Sequence, residues 1–259
     1  MEKLYICLPS YNEAENLPEL IGDIGKTTPN AKLVVVDDGS TDLTGDIAEK
    51  AGAKMNLVVV RHPRNMGLAQ AMKTAFDHVL HEADDEALIV VMDADGSHRP
   101  EQIPKLVEKA NEGADLVVAG RYIDGAEVRG VSPLRRVLSY GTRQLTQLIF
   151  GRLGARDVSC GYRLYRSSLL REAKEAYGDN LIVSEGFSVN VELLIKLSKI
   201  GAVIEQTPLD LRYDLKKGRS KIRILPTIFQ YLKLFAQMIL HPPGPRKIAQ
   251  NKKGSEKNT

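Results

Sequence analysis

Ala87-Leu-Ile-Val-Val-Met-Asp-Ala-Asp95 is the stretch on which the reading of this chain turns. Six apolar residues run without a break and stop at two carboxylates one residue apart. That is the pattern of a strand buried on both faces, as in parallel sheets, ending at a polar site. In open α/β sheets, ligands bind outside the carboxyl ends of the strands. Asp93 and Asp95 at such an edge repel one another unless a cation lies between them. A divalent metal carrying a phosphate-bearing ligand meets that requirement. The plainer alternative is a polar loop leading into a helix that opens at Pro100.

The same rhythm extends outward. On the N-terminal side, Leu4–Leu8, Leu33–Val36 and Leu57–Val60 are short apolar runs. Between them, Asn12–Lys26, Asp42–Ala51 and Gly67–Leu80 have helical spacing, with Thr41 or Asp42 as a cap for the second. On the C-terminal side come a helix over Pro100–Asn111 and a strand over Asp115–Ala119. The alternation predicts a Rossmann-like, mostly parallel sheet flanked by helices. Right-handed crossovers then bring Pro9, Asp37-Asp38, Asp93-Asp95 and Arg121 to one sheet edge, because each follows a strand directly.

The second half is less regular. Helices are expected over Pro133–Phe150 and Phe187–Ile200. Ser159–Tyr165 and Val203–Tyr213 are expected as strands, the latter with Pro208 at an edge position. A lysine-rich loop follows, Lys216-Lys-Gly-Arg-Ser-Lys221. Leu225–Leu240 forms an amphipathic helix. Arg223, Thr227, Gln230, Lys233 and Gln237 make its narrow polar stripe, and the apolar face packs on the domain or lies in a membrane interface. The expected division is a domain over 1–222, this helix over 223–240, and a basic, disordered tail over 241–259.

The chain has 259 residues, 43% of them hydrophobic, enough for a substantial core. Cys7 and Cys160 are its only cysteines. They have no metal-ligand spacing and fit a reduced, cytosolic compartment. Leu4–Pro9 is too short for a signal sequence, and no membrane span is expected. The net charge is +3, yet residues 211–259 carry 12 Lys/Arg against 2 Asp/Glu. That region would meet a phosphate-bearing substrate, an acidic membrane or nucleic acid, or would serve only solubility.

No Walker A pattern, no Gly-x-Gly-x-x-Gly after a strand, no His/Cys cluster and no Gly-x-Ser-x-Gly is present. P-loop hydrolysis, dinucleotide redox, zinc and serine-hydrolase chemistry lose their anchors. What remains is an acidic site opposed by Arg121, Arg129, Arg135, Arg136, Arg163 and Arg212. Acids hold a cation and arginines hold phosphates, and a nucleoside-diphosphate substrate uses both.

Pro9-Ser-Tyr-Asn-Glu13, Val36-Asp-Asp-Gly-Ser-Thr-Asp42 and Asp93-Ala-Asp95 with His98-x-Pro-Glu101 resemble, in that order, inverting glycosyltransferase family 2, which has the GT-A fold. Gly120-Arg-Tyr122 and Ser159-Cys-Gly-Tyr-Arg-Leu-Tyr165 narrow the resemblance to the dolichol-phosphate (polyprenol-phosphate) mannosyltransferases, over nearly the whole ordered chain. The resemblance implies that Pro9, Tyr11, Glu13, Val36 and Asp38 hold the nucleoside. It implies that Asp93 and Asp95 coordinate Mg²⁺ or Mn²⁺ on the donor diphosphate, with the Ala94 backbone close by. Arg121 and Arg136 would face the acceptor phosphate, and Ser220-Lys221 would lie near the donor and acceptor phosphates. Two positions depart from the pattern. Ser97 stands where a Gln often serves as an extra ligand, and a hydroxyl can still ligate. Leu215 stands where an Arg is usual, so Arg212 or Lys217 would substitute.

The chemistry is consistent with that assignment. A polyprenyl phosphate is already anionic near neutral pH, since the second pKa of a phosphate monoester is about 6. It needs positioning by arginines more than a general base. Glu192 and Glu185 are further acids, for the site or for a structural role. The expected activity is inverting transfer of a hexose, mannose from GDP-mannose, to a polyprenyl phosphate by a peripheral enzyme at the cytoplasmic face of a membrane. Asp95, Arg121 and Arg136 would carry the chemistry, and no nucleic-acid partner is expected. The alternatives are a UDP-sugar donor with another lipid phosphate or a polysaccharide acceptor, nucleotidyl transfer onto a sugar phosphate, and nucleotide-sugar binding without transfer.

Overall fold

The valine-rich runs become central strands because both their faces can be covered by helices. The computed structural model of the protein describes residues 3–217 and 224–240. The first half alternates as β1 (Leu4–Ser10), α1 (Leu17–Thr27), β2 (Lys32–Asp37), α2 (Thr44–Gly52), β3 (Leu57–Arg61), α3 (Leu68–Glu82), β4 (Leu88–Val91), α4 (Ile103–Asn111) and β5 (Leu116–Gly120). The second half adds β6 (Glu127–Arg129), α5 (Pro133–Phe150), β7 (Arg163–Arg166), α6 (Ser167–Tyr177), α7 (Val189–Lys199), β8 (Ile204–Pro208), β9 (Asp210–Arg212) and α8 (Ile224–Leu240).

Seven strands form one sheet in the order β3-β2-β1-β4-β7-β5-β8. Its centre is dry. Cys7 in β1 stands level with Val34 on one side and Val91 on the other, and all three are buried. Every pairing is parallel except those of β7, which runs antiparallel between β4 and β5. The reason lies in the path of the chain. It leaves β5 at the carboxyl edge, passes through β6 and α5, and re-enters from that edge, so the next strand must run back down the sheet. Arg163 thereby sits beside Val91 and Val118 at the site edge. Pro208 is in β8, the edge strand, where its missing N–H costs no interior ladder bond.

Several elements differ from the sequence reading. The first helix begins at Leu17, after a turn in which Asn12 takes a left-handed φ of 52° and accepts the Thr41 amide. The strand expected over Val203–Tyr213 is two strands. Beyond Leu209 the chain leaves the main sheet, and β9 pairs with β6 in a separate two-stranded sheet. The strand expected over Ser159–Tyr165 is shorter, because residues 157–162 form a loop over the site edge. Helix α6 was not anticipated, although Leu169, Leu170, Ala173, Ala176 and Tyr177 give it a buried stripe.

Helix α8 packs on the domain through Leu234, Phe235 and Met238, and Phe235 meets Phe150 of α5 at 5.9 Å. Its opposite face leaves Leu225, Phe229, Leu232, Ile239 and Leu240 exposed. The polar-stripe residue Arg223 and the tail over 241–259 lie outside the described residues.

Candidate active site

The parallel strands deliver the acids to one edge, as their spacing requires. β1 ends at Pro9 and Ser10, β2 at Asp37, β4 just before Asp93, and β5 just before Arg121. Two cavities open there. A polar cleft of about 500 Å³ is lined by Pro9, Tyr11, Glu13, Asp38, Asn65, Asp93, Ala94, Asp95 and Lys216. A more apolar cavity of about 450 Å³ runs between α5 and α8, with Arg121 and Arg135 among its lining. Asp93, Phe187, Tyr213 and Thr227 line both, so the two cavities meet at the first aspartate.

The turn Asp93–His98 is tightly organised. The Ser97 amide and hydroxyl donate to Asp95 Oδ1 at 3.0 and 2.6 Å, an Asx-type turn that Gly96 permits with its φ of 75°. His98 Nδ1 accepts the Asp93 amide at 3.0 Å, and its ring stacks on Tyr162 at 4.9 Å. Burial pushes the Asp93 carboxyl up, partly offset by His98 and reinforced by Asp95. Burial also acts to raise Asp95, but the Lys216 ammonium outweighs it and holds the group below the usual carboxylate range.

Lys216 Nζ lies 2.5 Å from Asp95 Oδ2, and both side chains are only 9% exposed. The acid pair therefore faces a cation in this structure, and that cation is a lysine. Among the described residues, no group of three His, Cys, Asp or Glu side chains forms a metal cage. Two carboxylates suit Mg²⁺ or Mn²⁺ all the same, because such ions keep several waters and bind substrate phosphates rather than all-protein cages. The ammonium shows that the position accepts positive charge, and Asp93 and Asp95 fit the role of holding such an ion.

Arg121 is held more firmly than a mobile phosphate ligand would be. Its Nε and Nη2 donate to the two oxygens of Asp157 at 2.7 Å each, its backbone amide adds 2.9 Å, and Nη2 also reaches Ser139 and Ser159. Burial works against the charge of both partners, yet each outweighs it for the other: Arg121 is raised and Asp157 lowered. Arg121 does line the apolar cavity, but as half of an ion pair.

Several expected site residues are placed elsewhere. Val36 is fully buried between β1 and β3, and its place in the ladder explains why it does not reach the cleft. Asp38 borders the cleft, but its oxygens accept the Met66 and Gly67 amides at 2.8 Å each and contact His62 at 2.7 Å. It anchors the 62–67 loop, which crosses so close to Gly39 that a Cβ there would lie 2.2 Å from Arg64. Arg136 is exposed and donates to the Val128 carbonyl. Its neighbour Arg135 lines the cavity instead and donates to the Tyr213 hydroxyl at 2.5 Å. Arg212 turns away to pair with Asp214, and Lys217 pairs with Glu19. Ser97 lies beside Asp95 and donates its hydroxyl to Asp95 Oδ1. Ser220 and Lys221 lie outside the described residues.

Glu192 is a structural acid: fully buried, it pairs with Lys196 and accepts the Ser184 amide at 2.9 Å. Glu185 is exposed and bridges to Lys233 of α8. Asp157 and Lys216 were not singled out from the sequence. The signal that could have found Asp157 is that a buried strand-end arginine needs an acid partner. Lys216 was visible only as one member of a basic loop.

The chain matches the glycosyl transferase family 2 profile over residues 5–173. The chain belongs to glycosyl transferase family 2. Within the glycosyltransferases it is 34% identical to a polyprenol monophosphomannose synthase of Mycolicibacterium smegmatis, over 85% of this chain and 81% of that one. It is 34% identical to an undecaprenyl-phosphate mannosyltransferase of Micrococcus luteus, over 83% and 85%. It is 33% identical to a dolichol-phosphate mannosyltransferase of Pyrococcus furiosus, over 89% and 62%. The fold is shared with glucosyl-3-phosphoglycerate synthase of Mycobacterium tuberculosis, solved with Mn²⁺, UDP and phosphoglyceric acid, at a TM-score of 0.66 and 20% identity over 95% and 80%.

Proposed function

We propose that this glycosyltransferase moves mannose from GDP-mannose to a polyprenyl phosphate, with inversion at the anomeric carbon. The observation that carries the reading is the junction of the two cavities at Asp93. A polar cleft with an acid pair suits a nucleotide sugar, and an apolar cavity with arginines in its wall suits a lipid phosphate. The names of the relatives point the same way.

In this reading Pro9, Tyr11 and Glu13 bind the nucleoside, and the Asp38-anchored loop closes its side. Asp93 and Asp95 would hold Mg²⁺ or Mn²⁺, which when bound neutralises charge on the donor diphosphate. Lys216 then adds a second positive charge beside the diphosphate. Arg121, fixed by Asp157, and Arg135 orient the acceptor phosphate. One of its oxygens forms a bond to the anomeric carbon, the bond from that carbon to the diphosphate breaks, and the nucleoside diphosphate leaves with the electron pair. The attacking oxygen carries no proton, so no residue must remove one. Positioning and charge compensation are the whole of the protein's task.

In this reading the lipid is met at a surface, and no helix among the described residues is long and apolar enough to cross a membrane. Exposed Leu134, Val137 and Leu148 of α5 and Phe229, Leu232 and Ile239 of α8 support contact with a lipid surface, which the proposal places at the cytoplasmic face of a membrane. A radiolabel-transfer assay with polyprenyl phosphate in detergent tests the proposal. GDP-mannose should give labelled lipid, and chelator should abolish it. Turnover with UDP-sugars alone would remove mannose from the reading.

A further inference from the structure

Asn190 carries a buried amide whose oxygen finds no partner among the described residues. It lies in the first turn of α7 and is 1% exposed. Its backbone is fixed: Arg163, fully buried itself, donates from Nη1 to the Asn190 carbonyl at 2.7 Å and from Nη2 to the Val158 carbonyl at 2.8 Å. Its side-chain Oδ1 has no hydrogen-bond partner among the described residues. A buried polar atom left in this way is unfavourable unless a ligand completes it.

The surroundings say which ligand. Asn190 lines the apolar cavity at the end it shares with the polar cleft. A Cβ placed on Gly161 would lie 3.4 Å from Asn190 Nδ2 and 3.6 Å from Asp93 Oδ1. The glycine thus keeps open a corner between the amide and the carboxylate. Asn190 Oδ1 follows at 3.9 Å, so one donor and two acceptor oxygens face the corner, which suits a group that both donates and accepts. A phosphate oxygen donates nothing at neutral pH and would leave Asn190 Oδ1 without a donor, so the acceptor phosphate belongs at the arginines. A sugar hydroxyl donates to one oxygen and accepts from Nδ2.

We propose that Asn190 binds a hydroxyl of the transferred hexose, in the corner left open by Gly161, and so contributes to the choice of sugar. The inference rests on the reading of the polar cleft as the nucleotide-sugar site. A site that hydrogen-bonds a hydroxyl rejects a substrate lacking it, because its own polar group is then stranded.

The test compares wild type with Asn190→Ala and Gly161→Ala, first by binding of GDP alone and then by kcat/KM for transfer from GDP-mannose and its monodeoxy analogues. Asn190→Ala should bind GDP as wild type does and lose about 10- to 100-fold in kcat/KM, the range of a stranded buried hydrogen-bonding group. One deoxy donor should show the same loss with wild type and no further loss with Asn190→Ala. Gly161→Ala, which fills the corner and keeps Asn190, should lower kcat/KM without altering GDP binding. That variant carries the test if Asn190→Ala does not fold. Wild-type kcat/KM in both variants, a parallel loss of GDP binding, or losses that multiply for every deoxy donor would overturn the assignment. Failure of wild type to bind GDP or transfer mannose would instead overturn the nucleotide-sugar reading, and the inference with it.

Discussion

At the residue scale, Lys216 and a divalent ion compete for Asp95. The ammonium must retreat before an ion can reach that oxygen, and the two then repel. Two unit charges 4 Å apart exchange about 4 kcal/mol at an effective dielectric of about 20, and part of this should return when the lysine is neutralised. Lys216→Gln should therefore bind Mn²⁺, titrated without any nucleotide and followed by electron paramagnetic resonance, about 10-fold more tightly. Unchanged or weaker binding would show that the lysine does not occupy the ion's position. Asp157 offers a test of stability. Asp157→Asn leaves Arg121 buried without its partner, at a cost of about 3–5 kcal/mol. The folded-state pKa of Asp157 is depressed, so its contribution is full above the unfolded value of about 3.9 and is lost as pH falls below it. Urea midpoints should show a wide gap between wild type and Asp157→Asn at pH 7, narrowing as pH drops below that value. Sequence made Asp93 and Asp95 legible because an apolar run stops at them. The resemblance pointed to Arg136, whereas the neighbouring Arg135 lines the cavity; neighbours on a helix point about 100° apart, so a shift of one position changes the face. It offered Arg212 or Lys217 for the arginine missing at Leu215, while Lys216, in a segment with no period to read, reaches Asp95. Asp38 and Ser97 were found at the site edge, but their hydrogen bonds run to the backbone and to Asp95, which only coordinates reveal.

At the element scale, the β-α alternation through β5 was legible because each strand is a continuous apolar run and each helix has a buried stripe. The alternation lapsed after β5, where the chain stays at the carboxyl edge to build the site. There the strand β7 reverses, and β9 departs to a second sheet; long-range pairing of this kind leaves little local signal. Helix α6 carries a buried stripe at Leu169, Leu170, Ala173 and Ala176, so its signal was present in the sequence. Helix α8 shows two apolar faces with different tasks. Phe235 is 4% exposed and joins the core, whereas Phe229 is 68% exposed. Phe235→Ala should speed amide exchange throughout α8 while leaving β1, β2 and β4 protected, because docking of one terminal helix opens more readily than the sheet. Phe229→Ala should leave exchange unchanged and weaken binding to lipid vesicles. Equal exchange effects from both substitutions would mean that α8 has no distinct docked face.

At the scale of the whole molecule, charge and apolar surface are segregated together. Residues 211–259 carry 12 Lys/Arg and 2 Asp/Glu, while the chain as a whole is only +3, so the preceding 210 residues are net acidic. An evenly charged protein with this net charge would show weak attraction to an anionic membrane and no fixed orientation. A segregated one is drawn in by its basic end and repelled elsewhere, which would turn the exposed faces of α5 and α8 toward the lipid. Basic residues near such a surface contribute about 1 kcal/mol each. The attraction is screened as the Debye length shrinks from about 10 Å at 0.1 M salt to about 3 Å at 1 M. Sedimentation of the full chain with anionic vesicles should therefore fall steeply across that range. Binding to neutral vesicles should be weaker at low salt and nearly independent of it, because only apolar contact remains. Salt-independent binding to both would assign docking to the apolar faces alone and leave the basic end to the phosphates of the substrates.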